Sequence, residues 1–175
     1  MRKLCVAGSI MALCLLSVAN LLLSDSVSAS EVTMPFFLVD RGNANPVPID
    51  ACTLRNHETY TGSALPIGPF TGTEDETVRF TSCSPPSPPG SSIEVSGKFK
   101  FLTTNDDEID GELWTTGTLD HVNGVFVQGG YRFLSGTGRC TNIKGSGIVV
   151  AQGAPGPPCE FIGTFIGTIS YGGEQ

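Results

Sequence analysis

The sequence predicts an all-β protein: a single antiparallel β-barrel of about eight strands, calycin-like and stapled by disulfides. Three observations lead there. Beyond residue 29 no long amphipathic helical pattern occurs. In its place come short alternating or β-branched segments, punctuated by turn signals roughly every 8–12 residues, which is the pattern of a sandwich or barrel. In Glu160–Tyr171, Phe161, Gly163, Phe165, Gly167, Ile169 and Tyr171 share one face. Glycines alternating with large apolar groups suit the inside of a tightly curved barrel strand. Closure also hides the edges that strands this apolar would otherwise expose.

Met1 to about Ala29 reads as a secretory signal peptide. Arg2 and Lys3 form a positive n-region, Val6 to Leu23 is apolar, and Val27-Ser28-Ala29 ends in small residues like a cleavage site. Cys14 lacks the small residue before it that a lipoprotein signal requires. The expected product is a secreted, periplasmic or otherwise extracytoplasmic domain over 30–175. Its later segments are not apolar enough to span a membrane.

Along the mature chain, Met34-Pro35-Phe36-Phe37-Leu38-Val39 is a short apolar strand, and Arg41 to Pro46 has turn chemistry. Cys52 to Tyr60 mixes charged and apolar residues without a clear period. Gly62 to Gly72, with two prolines and three glycines, reads as loop. Glu76 to Cys83 alternates and reads as a strand, and Ser84 to Ser92 is a stiff Pro/Ser/Gly loop. Ile93, Val95, Phe99 and Phe101 alternate with Glu94, Ser96, Lys98 and Lys100, the clearest half-buried strand in the chain. Thr104 to Gly111 predicts a hairpin turn and Glu112 to Asp120 the return strand, with Leu113 and Trp114 on opposite faces. His121-Val122-Asn123-Gly124 is a second hairpin signal, followed by a strand over Val125–Leu134. Ser135 to Gly138 and Gly145 to Gly147 frame a corner before Ile148-Val149-Val150, and Pro155 to Pro158 breaks the chain before the last strand.

The strand–turn–strand stretch from Gly129 to Val150 resembles the allene oxide cyclase and dirigent-like barrel proteins. Ser135-Gly136-Thr137-Gly138-Arg139 matches their glycine-rich turn, and Gly145-Ser146-Gly147 matches the closing glycines. Cys140 stands where those families carry an aromatic, and a looser likeness runs from about Ser96 to Tyr171. The resemblance implies a small antiparallel barrel with a hydrophobic interior. Some members steer the cyclisation or coupling of a reactive small molecule. No catalytic residue of the family carries over position by position.

Several function classes are disfavoured. The net charge is −7, and losing Arg2, Lys3 and Asp25 with the leader makes it −8, because two positive charges and one negative one depart. Lys98, Lys100, Arg132, Arg139 and Lys144 are dispersed, so no basic patch exists for nucleic acid. The Gly136-x-Gly138 pair is not followed by a helical pattern, which a phosphate loop needs. Asp106, Glu108 and Asp110 faintly resemble a calcium loop, but Gly117 stands where its final Glu belongs, so a solvated turn is expected. No C-x-x-C pair, His-rich zinc signature or Gly-x-Ser-x-Gly motif is present. Neither a metal nor a cofactor is therefore expected.

The four mature cysteines are Cys52, Cys83, Cys140 and Cys159, an even number in an exported chain. Of three possible pairings, Cys52–Cys83 with Cys140–Cys159 is preferred, since each joins neighbouring segments of a meander. Candidate ligand-binding residues are Glu112, Trp114, Tyr131 and Arg132, with Glu58, Tyr60 and Arg79 also on or near strands and able to face inward. For charged strand residues the competing reading is exposure to solvent. The functional expectation is a non-catalytic exported barrel that binds a small apolar molecule or a protein partner. The alternatives are a cyclase- or isomerase-like enzyme that shapes a reactive substrate, and a structural envelope or matrix protein.

Overall fold

Eight long strands follow one another around a closed barrel. They are β1 (Thr33–Asp50), β2 (Thr53–Leu65), β3 (Gly68–Phe80), β4 (Ser91–Thr103), β5 (Glu108–Asp120), β6 (Gly124–Gly136), β7 (Lys144–Gly153) and β8 (Cys159–Ser170). Each pairs antiparallel with its neighbour in sequence, and β8 returns to β1 to complete the ring. The structure is a computed structural model that describes residues 32–82, 90–120, 122–155 and 159–171. The expected leader over 1–29 with its expected cleavage site, Cys83, His121, most of the Ser84–Ser92 loop and Gly156–Pro158 lie outside the described residues. A single 3-10 turn, Gly138–Cys140, sits between β6 and β7. No helix among the described residues is long and apolar enough to cross a membrane.

The expected faces are observed. Ile93, Val95, Phe99 and Phe101 point inward, Leu113 is buried while Trp114 is exposed, and Gly163, Phe165 and Ile169 of β8 face the core. Several segments expected to be turn or loop are strand instead: Glu108–Gly111 opens β5, Ser135 and Gly136 end β6, Gly145–Gly147 lies in β7, and two longer stretches join them. Arg41–Pro46 continues β1, which pairs with β8 only as far as Ala44 and beyond that with β2 alone. Pro46 and Pro48 therefore occupy the part of β1 with one neighbour, where a missing N–H costs no ladder bond. Gly62–Gly72 holds the end of β2, a short turn and the start of β3.

The glycines of that segment are not loop signals. Gly62 pairs with Phe70 and Gly72 with Tyr60, and a methyl group added at Gly72 would overlap the Tyr60 ring. The same complementarity recurs around the barrel. Phe99 pairs with Gly111, where an added methyl would strike its ring, and Tyr131 pairs with Gly147. Large rings thus lie across the floor of a neighbouring glycine, and eight strands close at a diameter that side chains can fill.

Filling is uneven along the barrel. One half is an aromatic plug in which Phe99 stacks on Phe101 at 4.8 Å and Phe70 lies 4.7 Å from Phe101. Tyr131 and Phe165 lie 5.0 Å apart, and Phe36 meets Phe133 edge-on at 5.2 Å. Offset and edge contacts of this kind add about 0.5–1.5 kcal/mol each beyond the area they bury. The other half, near the β1–β2 turn, is walled mainly by β-branched and aliphatic residues and keeps a cavity.

The Cys140–Cys159 pairing is contradicted: both are free thiols. Cys140 lies just before Lys144, which pairs with Ser170 at the far end of the strand that Cys159 begins. That strand is about 35 Å long at ~3.3 Å per residue, whereas a disulfide holds its Cα atoms within about 7 Å. The meander brings neighbouring strands together but places these two cysteines at opposite ends.

Gly111 has no unusual backbone angle, so substitution there isolates the packing constraint. Gly111→Ala is expected to lower stability by about 1–3 kcal/mol, the cost of overpacking a filled core, measured by urea unfolding. An unchanged midpoint would show that the Phe99 ring has room to move aside.

Candidate functional site

The interior cavity has a volume of about 130 Å³ and takes lining residues from all eight strands. Most of its wall is apolar, with Leu54, Val78, Ile93, Val95, Leu113, Val125, Val127, Val149, Phe161 and Phe165. One side is not. Asp40 on β1, Asn56 and Glu58 on β2, and Glu74 and Glu76 on β3 bring four carboxyls and an amide to one patch. Strand alternation and register account for this. Leu54, Asn56, Glu58 and Tyr60 are spaced by two on β2, as are Gly72, Glu74, Glu76 and Val78 on β3. The β2–β3 register then sets Glu58 directly opposite Glu74 and Asn56 opposite Glu76. Like charges facing each other across a ladder are ordinarily destabilising.

Asn56 ties the patch together. Its Nδ2 donates to Glu58 Oε1 at 2.6 Å and to Glu76 Oε2 at 2.9 Å. Asp40 Oδ1 accepts the Gly163 backbone N–H at 2.9 Å, and a side chain at Gly163 would collide with that carboxyl. Tyr60, below the patch, donates its hydroxyl to Thr73 O at 3.3 Å. Asn56 Oδ1, Glu74 Oε1 and, on the facing wall, Thr115 Oγ1 are buried without a hydrogen-bond partner in the structure. Among the described residues, no lysine, arginine or histidine lines the cavity.

The chemistry follows from that absence of positive charge. Burial, and then the charges of Glu76 and Glu58, push the Glu74 carboxyl well above the usual carboxylate range. Burial, then Glu76, pushes Glu58 up to about 9 against the lowering effect of the Asn56 hydrogen bond. The cavity reaches Glu58 and leaves it partly exposed, but protein surrounds it on its other sides and desolvates the charge. Burial raises Asp40 to about 6, partly offset by the Gly163 N–H. The cluster therefore stores protons at neutral pH. Cys159, at the rim, has its thiol pushed up by burial and by Glu58.

The structure separates the residues expected to bind a ligand. Glu112 and Arg132 do not enter the barrel; they form an ion pair of 2.6 Å on its outer surface. Trp114 is also outside and 49% exposed. Phe37, Ile166 and Ile148, aligned on β1, β8 and β7, form a further exposed apolar row. Tyr131 does face inward, but in the aromatic plug and away from the cavity, with its hydroxyl unpartnered. Arg79 is exposed. Glu58 and Tyr60 do face the interior, with Glu58 lining the cavity. Glu108 and Asp110 of the calcium-like turn approach Lys100 at 2.9 and 3.8 Å. Among the described residues no group of three or more potential ligands could hold a metal ion.

Sequence reasoning missed Asp40, Asn56, Glu74, Glu76 and Thr115. A signal existed on β3: counting back by twos from Val78 puts Glu76, Glu74 and Gly72 on its inward face. The prolines and glycines just upstream obscured it. A larger depression of about 790 Å³ lies among Arg41, Phe126, Gln152 and Ile162. It is open to solvent and gathers no buried titratable group, so the smaller interior cavity is the candidate site. No family model, curated protein or solved structure matches this chain.

The stored protons fix a pH dependence. A carboxyl that holds its proton more tightly in the folded state stabilises most below the ordinary carboxylate range. That stability is lost as pH rises through about 6 for Asp40 and about 9 for Glu58. Urea midpoints are expected to fall between pH 5 and pH 9, and Glu58→Gln and Glu74→Gln to flatten the fall. A midpoint that is level or rises over that interval would contradict the buried, protonated cluster.

Proposed function

We propose that this is an exported barrel that binds a small molecule with an apolar body inside the cavity at its β1–β2 end, in a calycin-like manner. The observation that supports this reading is the cavity itself: an apolar wall with a few convergent polar groups is the usual make-up of a ligand site. Its volume is of the order of the ~150 Å³ apolar cavities that take up benzene. The resemblance to allene oxide cyclase and dirigent-like barrels supports an interior site as well. A void of about 130 Å³ is small for enclosing and reshaping a substrate, so binding is favoured over cyclisation.

The probe is toluene, titrated while the methyl resonances of Val95, Val127 and Val149 are followed by NMR. Binding is expected to move these signals, and Val127→Phe, which fills the cavity, is expected to weaken it at least tenfold with the fold retained by circular dichroism. Toluene that leaves the three methyls unmoved, or that binds Val127→Phe equally well, would refute the interior site.

Export carries a proposal about Cys52. It is not a free thiol, and its carbonyl accepts the Phe80 N–H at 2.8 Å, three residues before Cys83. We infer a Cys52–Cys83 bridge that ties the β1–β2 turn to the end of β3, worth about 2–4 kcal/mol. Alkylation of the unreduced, denatured mature protein is expected to label Cys140 and Cys159 alone. Label on Cys52 or Cys83 would disprove the bridge.

A further inference from the structure

We propose that the cavity recognises its ligand through a protonated amine, with an alkyl- or arylammonium head against Glu58, Glu74 and Glu76 and the apolar tail against the opposite wall. The inference rests on the ligand-binding reading above and names the ligand's chemical class.

Once its internal bonds are made, the polar patch still offers unpaired polar atoms. Asn56 spends its Nδ2 on Glu58 and Glu76. Asn56 Oδ1 and Glu74 Oε1 remain, together with Thr115 Oγ1 across the cavity, and all three are buried and unpartnered. Asn56 and Thr115, neither of them acidic, are each more than nine-tenths buried and line the cavity. Asn56 Oδ1 is a pure acceptor, and Glu74 Oε1, once its carboxyl has given up its proton, and the hydroxyl oxygen of Thr115 accept as well. A ligand that satisfies them must be a donor, and an ammonium carries three N–H donors and no acceptor.

Charge narrows the class in the same direction. Asp40, Glu58, Glu74 and Glu76 converge on one side, and among the described residues no cationic side chain joins the lining. A carboxylate or phosphate ligand would be repelled. A sugar would leave its hydroxyls unpaired against Val95, Leu113, Val127 and Val149, at the cost of burying polar groups without partners. The volume admits a single ring or a short chain in the enclosed part. The fit is therefore a small monoamine with one apolar end.

The ammonium enters charged, and the carboxyl of Glu58 or Glu74 gives up its proton to solvent and becomes its counter-ion. No bond other than that O–H breaks. The titratable groups facing the cluster are Asp40 from β1, Tyr60 from β2 and Cys159 from β8, while β4, β5, β6 and β7 contribute none to the lining. Asp40 adds negative charge above about pH 6 and so acts in the same sense as the cluster. Amine affinity accordingly rises with pH until the amine loses its own proton.

The test compares benzylamine with its neutral isosteres benzyl alcohol and toluene by isothermal titration calorimetry, between pH 5.5 and pH 8.5, in buffers of different ionisation enthalpy. Benzylamine is expected to bind at least tenfold more tightly than benzyl alcohol at pH 8 and to release protons, with the gap narrowing at pH 5.5. Glu58→Gln and Glu74→Gln are each expected to weaken benzylamine at least tenfold and toluene less than twofold. Glu112→Gln, on the outer surface, is expected to change neither. If one cavity variant fails to fold, the other and the proton count in the unaltered protein still decide. Toluene that binds while benzyl alcohol matches benzylamine at every pH, or binds more tightly as pH falls, overturns the amine and leaves the apolar site standing. Failure of all three probes overturns both readings.

Discussion

Aromatic rings laid across glycines on the neighbouring strand are the contact on which the rest of this barrel depends. Tyr60 over Gly72, Phe99 over Gly111 and Phe70 beside Gly62 let large side chains lie flat within a narrow tube. A Cβ at any of these glycines would force the ring upright, into the space of the ring opposite. Where the rings meet, the interior is solid from Phe36 to Phe165. Where the inward residues are Val78, Val95, Val127 and Val149, side chains from opposite walls do not reach one another and the cavity remains. Plug and cavity are thus two consequences of one steric pattern.

The carboxyl patch is hard to explain as a stabilising feature. Buried ionisable groups cost desolvation that their mutual contacts seldom repay, and well-packed apolar residues in their place are often neutral or better. Here the charges are alike, so Asn56 supplies the donors and the remaining mismatch is relieved by retained protons. Gly163 yields its side chain to the Asp40 carboxyl. Such an arrangement is costly to the fold, and under the binding proposed above the same groups would give a donor-bearing guest its contacts.

On the outside the pattern is ordinary. Lys98, Glu112 and Arg132 pair across β4, β5 and β6 as a cross-strand ladder of alternating charge. Exposed ion pairs of this sort contribute roughly 0–1 kcal/mol. Glu112 and Arg132 drew notice in the sequence because they are charged residues flanked by good strand formers. That description fits a solvent-facing ladder as well as a lining residue, and only the direction of the neighbouring Leu113 and Tyr131 distinguishes them. Since Leu113 and Tyr131 are buried, Glu112 and Arg132 must face out.

The sequence by itself determined the class of fold and the sense of most strands, because period-two alternation is local. Ile93 to Phe101 and Phe161 to Ile169 carry their inward faces in plain view. It also determined that no residue triplet has the spacing of a familiar nucleophile or zinc site. Tertiary structure decided what stands next to what. The length of β7 set Cys140 and Cys159 at opposite ends of the barrel, although only that strand and its turns separate them in the chain. Register between β2 and β3 set Glu58 against Glu74, sixteen positions apart in the numbering, and β1 added Asp40 from further still. Proximity across a barrel depends on strand length, turn length and closure together. Local pattern carries none of these, so alternation on β3 could turn Glu74 and Glu76 inward but could not set Asp40, Asn56 and Glu58 beside them.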